Sequence, residues 1–231
     1  SVLNCFFLEI LMLPILFPAC HDNPLGKVDL QAMPQKDLME MLIESFENPE
    51  IICGNPNVPP SLRKWRGMVT RAVEEGSEKV LRINWFGLRL GGTLNLRFLP
   101  YTVTYFSVTC NDMVGTIRFE DLHCNVANLN LSNNGFDGTL NFCALPQAMT
   151  VLWIQNNSFS GSLDLTRLPP RMKEMNLARN EFSGQTDFTH LPLSIKKLNV
   201  SQNPILEGVL YMAKGQMFSA VHSGVDIQTN G

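Results

Sequence analysis

Apolar residues recur along this chain in blocks of fixed length. Val103, Phe106 and Val108 are followed by Asn111 and Met113, and the same order returns as Val126, Leu129, Leu131, Asn134, Phe136. Met149, Leu152, Ile154, Asn157, Phe159 make a third block, and Met172, Met175, Leu177, Asn180, Phe182 a fourth. Ile195, Leu198, Val200, Asn203, Ile205 complete the series, while Val80, Ile83 and Trp85 form an imperfect first copy with Leu88 at the asparagine position. The period is 23 residues, and Gly92, Gly115, Gly138, Gly161 and Gly184 keep it, with Gly208 one residue late. An apolar-x-apolar triplet predicts a short strand whose middle residue faces outward. One such strand per period predicts a parallel sheet along one side of a curved solenoid. Asn111, Asn134, Asn157, Asn180 and Asn203 then turn inward as a ladder, their amides meeting backbone groups that strand pairing leaves open. Phe136, Phe159 and Phe182 are expected to stack in one column.

The second half of each period is a recurring phrase: GTLNLRFLP at 92–100, GTIRFEDLH at 115–123, GTLNFCALP at 138–146, GSLDLTRLP at 161–169 and GQTDFTHLP at 184–192. The glycine permits a turn out of the first strand, L-x-L predicts a second short strand, and Leu-Pro opens the loop to the next coil. An extended or 3-10 convex side is expected rather than a helical one. Upstream, KDLMEMLIESF at 36–46 has the period of an amphipathic helix and precedes Asn-Pro. The expected organisation is a signal peptide or hydrophobic anchor over 1–20, a helical N-terminal cap over 21–79, and about seven repeats over 80–231, the last incomplete. The apolar run at 5–19 is interrupted by Glu9, Pro14 and Pro18, and it has the length of a signal-peptide core rather than of a membrane span. Val225, Ile227 and Asn230 open a further unit.

The blocks resemble the leucine-rich repeat, L-x-x-L-x-L-x-x-N-x-L. Trp65-Arg66-Gly67-Met68-Val69 after a helix, then a strand leading to Gly92-Thr93-Leu94, resembles the N-terminal cap of plant receptor-type leucine-rich-repeat proteins. Thr70 and Arg71 stand where that family has a cysteine. The phrase G-x-L-x-L-x-x-L-P resembles secreted or surface leucine-rich-repeat proteins of kinetoplastids. The resemblance spans roughly residues 34–231. It implies a repeat solenoid: a curved, right-handed superhelix of the α/β type, mostly short parallel strands, with an α-helical N-terminal cap.

Composition narrows the function. The 231 residues are 45% hydrophobic and 17% charged with a net charge of -3, which excludes a disordered chain and a nucleic-acid binder driven by a basic surface. No catalytic, metal-binding or cofactor motif occurs, so an enzyme is not expected and no cofactor is implied. His21, His123, His190 and His222 are scattered, and His123 beside Cys124 does not amount to a nucleophile pair. Six cysteines are too few for a disulfide scaffold. Cys110, Cys124 and Cys143 fall at different phases of the repeat, and Cys124 and Cys143 are expected to be free thiols. Three N-x-[ST] triplets begin at Asn130, Asn156 and Asn199 and are candidate N-glycosylation sites.

The outward positions of the strands are the ones the repeat leaves unconstrained. The central column reads Asn84, Ser107, Asn130, Trp153, Asn176, Asn199. Arg82, Tyr105, Asn128, Val151, Glu174, Lys197 precede it, and Phe86, Thr109, Ser132, Gln155, Ala178, Ser201 follow it. An asparagine-rich sheet with one central tryptophan suits a protein or glycan ligand, tryptophan being enriched at binding hot spots. The candidate partner-binding residues are Tyr105, Ser107, Asn128, Asn130, Val151, Trp153, Gln155, Glu174, Asn176, Lys197 and Asn199. Glycans on Asn130 or Asn199 would cover this surface. The expected function is non-enzymatic recognition of a macromolecule by a secreted or surface protein, with the membrane touched only through an anchor. The alternatives are a self-associating structural segment of a longer surface protein and an intracellular regulatory scaffold.

Overall fold

The computed structural model describes residues 29–73 and 78–229. The hydrophobic run at 5–19 and Asn230 lie outside the described residues. Among the described residues no helix is long and apolar enough to cross a membrane.

Along the chain the strands are β1 (Met68–Ala72), β2 (Glu78–Asn84), β3 (Gly91–Thr93), β4 (Tyr105–Ser107), β5 (Asp112–Thr116), β6 (Asn128–Asn130), β7 (Gly135–Thr139) and β8 (Val151–Trp153). They continue as β9 (Ser158–Gly161), β10 (Glu174–Asn176), β11 (Glu181–Asp187), β12 (Lys197–Asn199), β13 (Ile205–Met212), β14 (Met217–Ser219) and β15 (Gly224–Thr229). They form two sheets, ordered β1-β2-β4-β6-β8-β10-β12-β14 and β3-β5-β7-β9-β11-β13-β15. Every neighbouring pair is parallel except β1 and β2, which are antiparallel. In the first sheet Ile83, Phe106, Leu129, Leu152, Met175, Leu198 and Phe218 stand in one row, the first apolar residues of the triplets, all buried except the half-buried Phe218.

The N-terminal segment is mixed rather than all-helical. Helix α1 (Gln35–Ile43) buries Leu38, Met39, Leu42 and Ile43, and a four-residue helix, α2 (Glu50–Cys53), follows. Helix α1 ends three residues before the expected Phe46, because Phe46 bridges to Gly92 and the Ser45 carbonyl accepts the Thr93 N–H. Phe46, Trp85 and Phe106 meet edge to face at 5.8 and 5.9 Å, so this segment and the coils share one core.

The ladder asparagines tie each coil to its neighbours. Asn157 accepts from the Phe136 N–H and donates to the Leu131 and Ile154 carbonyls; Asn180 accepts from Phe159 and donates to Ile154 and Leu177. Each of these carbonyls therefore serves two successive asparagines. Arg89, Cys110, Asn133, Asn156, Arg179 and Gln202 adopt a left-handed backbone conformation, φ 55–58°. The last five directly precede ladder asparagines, and Gly87, at φ 63°, holds the equivalent place in the first coil, two residues before Arg89. This row turns the chain from one sheet to the other. After the first coil no glycine marks it, so the later repeats did not announce it.

The second sheet lies earlier in each period than expected. Its strands contain the repeat glycine, and the last residue of the L-x-L that follows opens a 3-10 turn, at Leu96–Phe98, Phe119–Asp121 and Phe142–Ala144. Asn95 and Asn141 support two of these turns: each side chain accepts the N–H two residues on, a local bond that competes with strand pairing, while the turn after Arg118 forms without one. Phe136 and Phe159 stack at 6.3 Å and 13°, but Phe182 instead meets Phe142 edge to face at 6.1 Å. Ile205, expected in the core, is 64% exposed, and Leu206 is buried in its place. One additional residue lies between Asn203 and Gly208, so Gly184 pairs with Leu206, and a one-residue slip reverses the face of every side chain.

Repeat glycines also seat the preceding coil's threonine. A Cβ on Gly161 would lie 2.8 Å from the Thr139 methyl, whereas one on Gly184, which follows a coil with Ser162, would meet nothing within 4 Å. Both have φ above 80°, so alanine is strained at either place. Gly184→Ala should cost about 1 kcal/mol from backbone strain alone. Gly161→Ala should cost about 2–4 kcal/mol, the methyl clash adding to that strain. In urea unfolding, Thr139→Ser should restore most of the difference in the Gly161→Ala background. Equal costs at the two glycines would remove the threonine contact from the account.

Candidate functional site

The outward residues of the first sheet align in the expected columns, since strand pairing sets Arg82, Tyr105, Asn128, Val151, Glu174 and Lys197 side by side. Near the middle they enclose an open hollow of about 280 Å³, lined by Tyr105, Asn128, Leu129, Asn130, Val151, Trp153 and Glu174. Tyr105 and Trp153 are two strands apart, so the hollow spans about 10 Å along the solenoid. Trp153 is 36% exposed. Its ring is too large to fold into the sheet beneath it, where Leu152 and Ile154 already fill the core. The Arg82 guanidinium lies 4.5 Å from the Tyr105 ring centroid, a cation–π contact that fixes the ring's orientation. At the other end the Lys197 Nζ donates to the Glu174 carboxylate at 2.9 Å.

The asparagines of the central column have a common arrangement. Asn130, Asn176 and Asn199 each accept the backbone N–H two residues on, at 3.0, 3.3 and 3.0 Å. Asn130 also accepts from the Ser132 hydroxyl. Their amide NH₂ groups have no intramolecular partner among the described residues, and the same holds for the whole Asn128 side chain. The hollow therefore offers an aromatic wall at each end and unengaged amide donors on its floor.

Several expected residues are placed elsewhere. Ser107 is a correction: it is 1% exposed, covered in its position between the larger neighbours, and its hydroxyl has no hydrogen-bond partner. Gln155 lies beside the hollow with its Oε1 buried and likewise unpartnered. Asn176, Lys197 and Asn199 continue the sheet beyond the hollow. Asn156 sits in the left-handed row, donating to Asn133 Oδ1 at 2.6 Å. Arg82 was not among the expected contact residues, although its column and its place one strand before Tyr105 were legible.

Cys53, Cys110, Cys124 and Cys143 are unpaired, and no disulfide joins the described residues. Cys124 is exposed while His123 is mostly buried, its Nδ1 accepting the Asn125 N–H at 3.3 Å. The two side chains do not meet as an acid–base pair. No group of His, Cys, Asp or Glu among the described residues could hold a metal ion.

No family model and no curated protein sequence matches this chain. Solved structures do match in shape. The ectodomain of BIR2 from Arabidopsis thaliana aligns with a TM-score of 0.57 at 17% identity, over 87% of this chain and 95% of that one. Pollen receptor kinase 3 aligns at 0.57 and 23%, over 77% and 86%. The Arabidopsis receptor kinase HAESA, in complex with the peptide hormone IDA and the co-receptor SERK1, aligns at 0.62 and 19%, over 76% of this chain and 30% of that one. The fold is a leucine-rich-repeat solenoid. At these identities the likeness is one of architecture.

Proposed function

We propose that this leucine-rich-repeat solenoid recognises an extended peptide segment of a protein ligand on its first sheet, with the hollow between Tyr105 and Trp153 as the seat. The observation that carries this is the pairing of an exposed tryptophan with unengaged amides in a formed hollow. Apolar burial supplies affinity there, and a few placed polar groups supply orientation. HAESA, which shares the fold, is a peptide-hormone receptor in its solved complex, and that supports a peptide as the ligand class. Asn128, Asn130 and Val151 form the floor, and Asn176, Lys197 and Asn199 extend the contact; Ser107 and Gln155 support it from below. Trp153→Ala should weaken binding of a ligand isolated on the wild-type protein about 30-fold or more, about 2 kcal/mol, with the urea midpoint unchanged. Unchanged affinity would place the binding surface elsewhere.

The same reading assigns the protein to the cell exterior, as with the receptor ectodomains that share its fold. A glycan on Asn130 would fill the hollow, so that triplet stays unmodified; Asn156, outside the hollow, is compatible with one. The exposed thiols of Cys110 and Cys124 favour a second reading, an intracellular scaffold using the same surface. The intact mass of the native protein before and after N-glycan removal separates the two. A loss of glycan mass establishes the exterior, and an unmodified chain with reduced cysteines establishes the interior.

A further inference from the structure

A second concavity lies away from the first sheet, in the N-terminal segment. It holds about 410 Å³ and is lined by Glu40, Met41, Ile43, Glu44, Pro49, Cys53, Pro56, Pro59 and Trp65. One wall is the face of α1 that carries Glu40, Met41 and Glu44, bounded by Ile43 at the edge of the buried stripe. The other is α2 with the loop behind it, in which Pro56, Pro59 and Pro60 stiffen the backbone. One end is held closed: the Lys36 ammonium donates to the Pro59 carbonyl at 3.1 Å and lies 3.7 Å from Glu40. At the base the Trp65 indole N–H donates to the Pro60 carbonyl at 3.1 Å. The groove is thus formed before anything enters it, and a preformed site loses little ordering entropy on binding.

Its charge is one-sided. Among the described residues the only charged side chains in its lining are Glu40 and Glu44; Lys36 lies against Glu40, and Lys64 and Arg66 flank Trp65 in the sequence. Glu40 and Glu44 are one turn apart on the groove wall, a like-charge spacing that costs helix stability unless a cation lies between them. Glu44 makes no ion pair among the described residues. The field reaches the floor: the Cys53 thiol is pushed up chiefly by burial and further by the Glu50 and Glu40 carboxylates.

We infer that this groove docks a basic side chain flanked by apolar residues on an extended segment of a partner protein. The cation sits between Glu40 and Glu44, and the flanking side chains lie against Met41, Ile43 and the prolines. The repeat pattern is silent about this surface, and the site is independent of the hollow at Trp153. The test uses the full chain labelled with ¹³C at methionine and isoleucine methyls, titrated with acetyl-Leu-Arg-Leu-amide and with its Gln and Glu counterparts.

The Arg peptide should move the Met41 and Ile43 signals and leave Met149 and Met172 in the coils unmoved. It should bind about three- to fivefold less tightly for each carboxylate removed in Glu40→Gln and Glu44→Gln, and the Glu peptide should not bind. The Trp153→Ala variant should bind it unchanged. Equal shifts with the Arg and Glu peptides, or no shift at Met41 and Ile43, would overturn the inference, the latter including a groove already filled by the chain's own residues.

Discussion

Alanine at both Asn180 and Asn203 is expected to destabilise the protein by about 1–2 kcal/mol more than the two single replacements added together. Each single change should cost about 2–3 kcal/mol, since it orphans one buried N–H, Phe159 for Asn180 and Phe182 for Asn203. The carbonyls they serve behave differently. Leu177 accepts from Asn180 and from Asn203, so either asparagine alone keeps it bonded, and only the double change leaves it without an amide partner. Both sites are closed to water, Asn180 at 5% exposure and Asn203 at 0%. Asn134 and Asn203 share no carbonyl, so that pair should add within about 0.5 kcal/mol. Urea midpoints of the singles and both doubles decide it. Simple additivity for Asn180 with Asn203 would show that the shared carbonyls contribute nothing.

The second large effect is a loss of stability in mild acid that one residue causes. His123 is mostly buried, and burial pulls its pKa down from 6.5 to about 4, outweighing the nearby Pro100 carbonyl. Its Nε2 has no hydrogen-bond partner. Between these values the unfolded chain holds the proton and the folded one does not. The stabilisation is therefore complete above about pH 6.5 and is lost as the pH falls towards 4, amounting to about 3 kcal/mol. The repeat itself supplies the control. Pro100, Pro146, Pro169 and Pro192 occupy this place in the other coils, and their carbonyls accept the N–H three residues on, as His123 does from Val126. Leu122, at φ -75° and ψ 133°, already has the conformation a following proline requires. His123→Pro should fold normally and unfold in urea with little change between pH 7 and 4.5. An equal acid loss in wild type and variant would move the cause to other groups.

Much of this architecture was legible because the repeat constrains it. The buried triplet Leu129-x-Leu131, the inward asparagines and the outward columns each follow from one period applied to a strand. What escaped had a local cause. Asn95 and Asn141 capture neighbouring N–H groups at two of the three places where an apparent strand is a turn. The additional residue before Gly208 turned Ile205 to solvent although its spacing to Asn203 looked regular. At the hollow, the columns and Trp153 were readable, but the Arg82 contact on Tyr105 and the burial of Ser107 depend on side-chain volumes in adjacent strands. The groove beside α1 was not readable, because its walls come from segments that repeat nothing.

The sharing of carbonyls between successive asparagines also governs how the molecule would yield to tension. A coil peeled from the end of the stack leaves one asparagine on every carbonyl it had shared, so the remaining coils stay bonded and the next becomes the new end. Stretched between its termini, such a chain lengthens in discrete jumps, each releasing one period of 23 residues, or about 80 Å of extended chain.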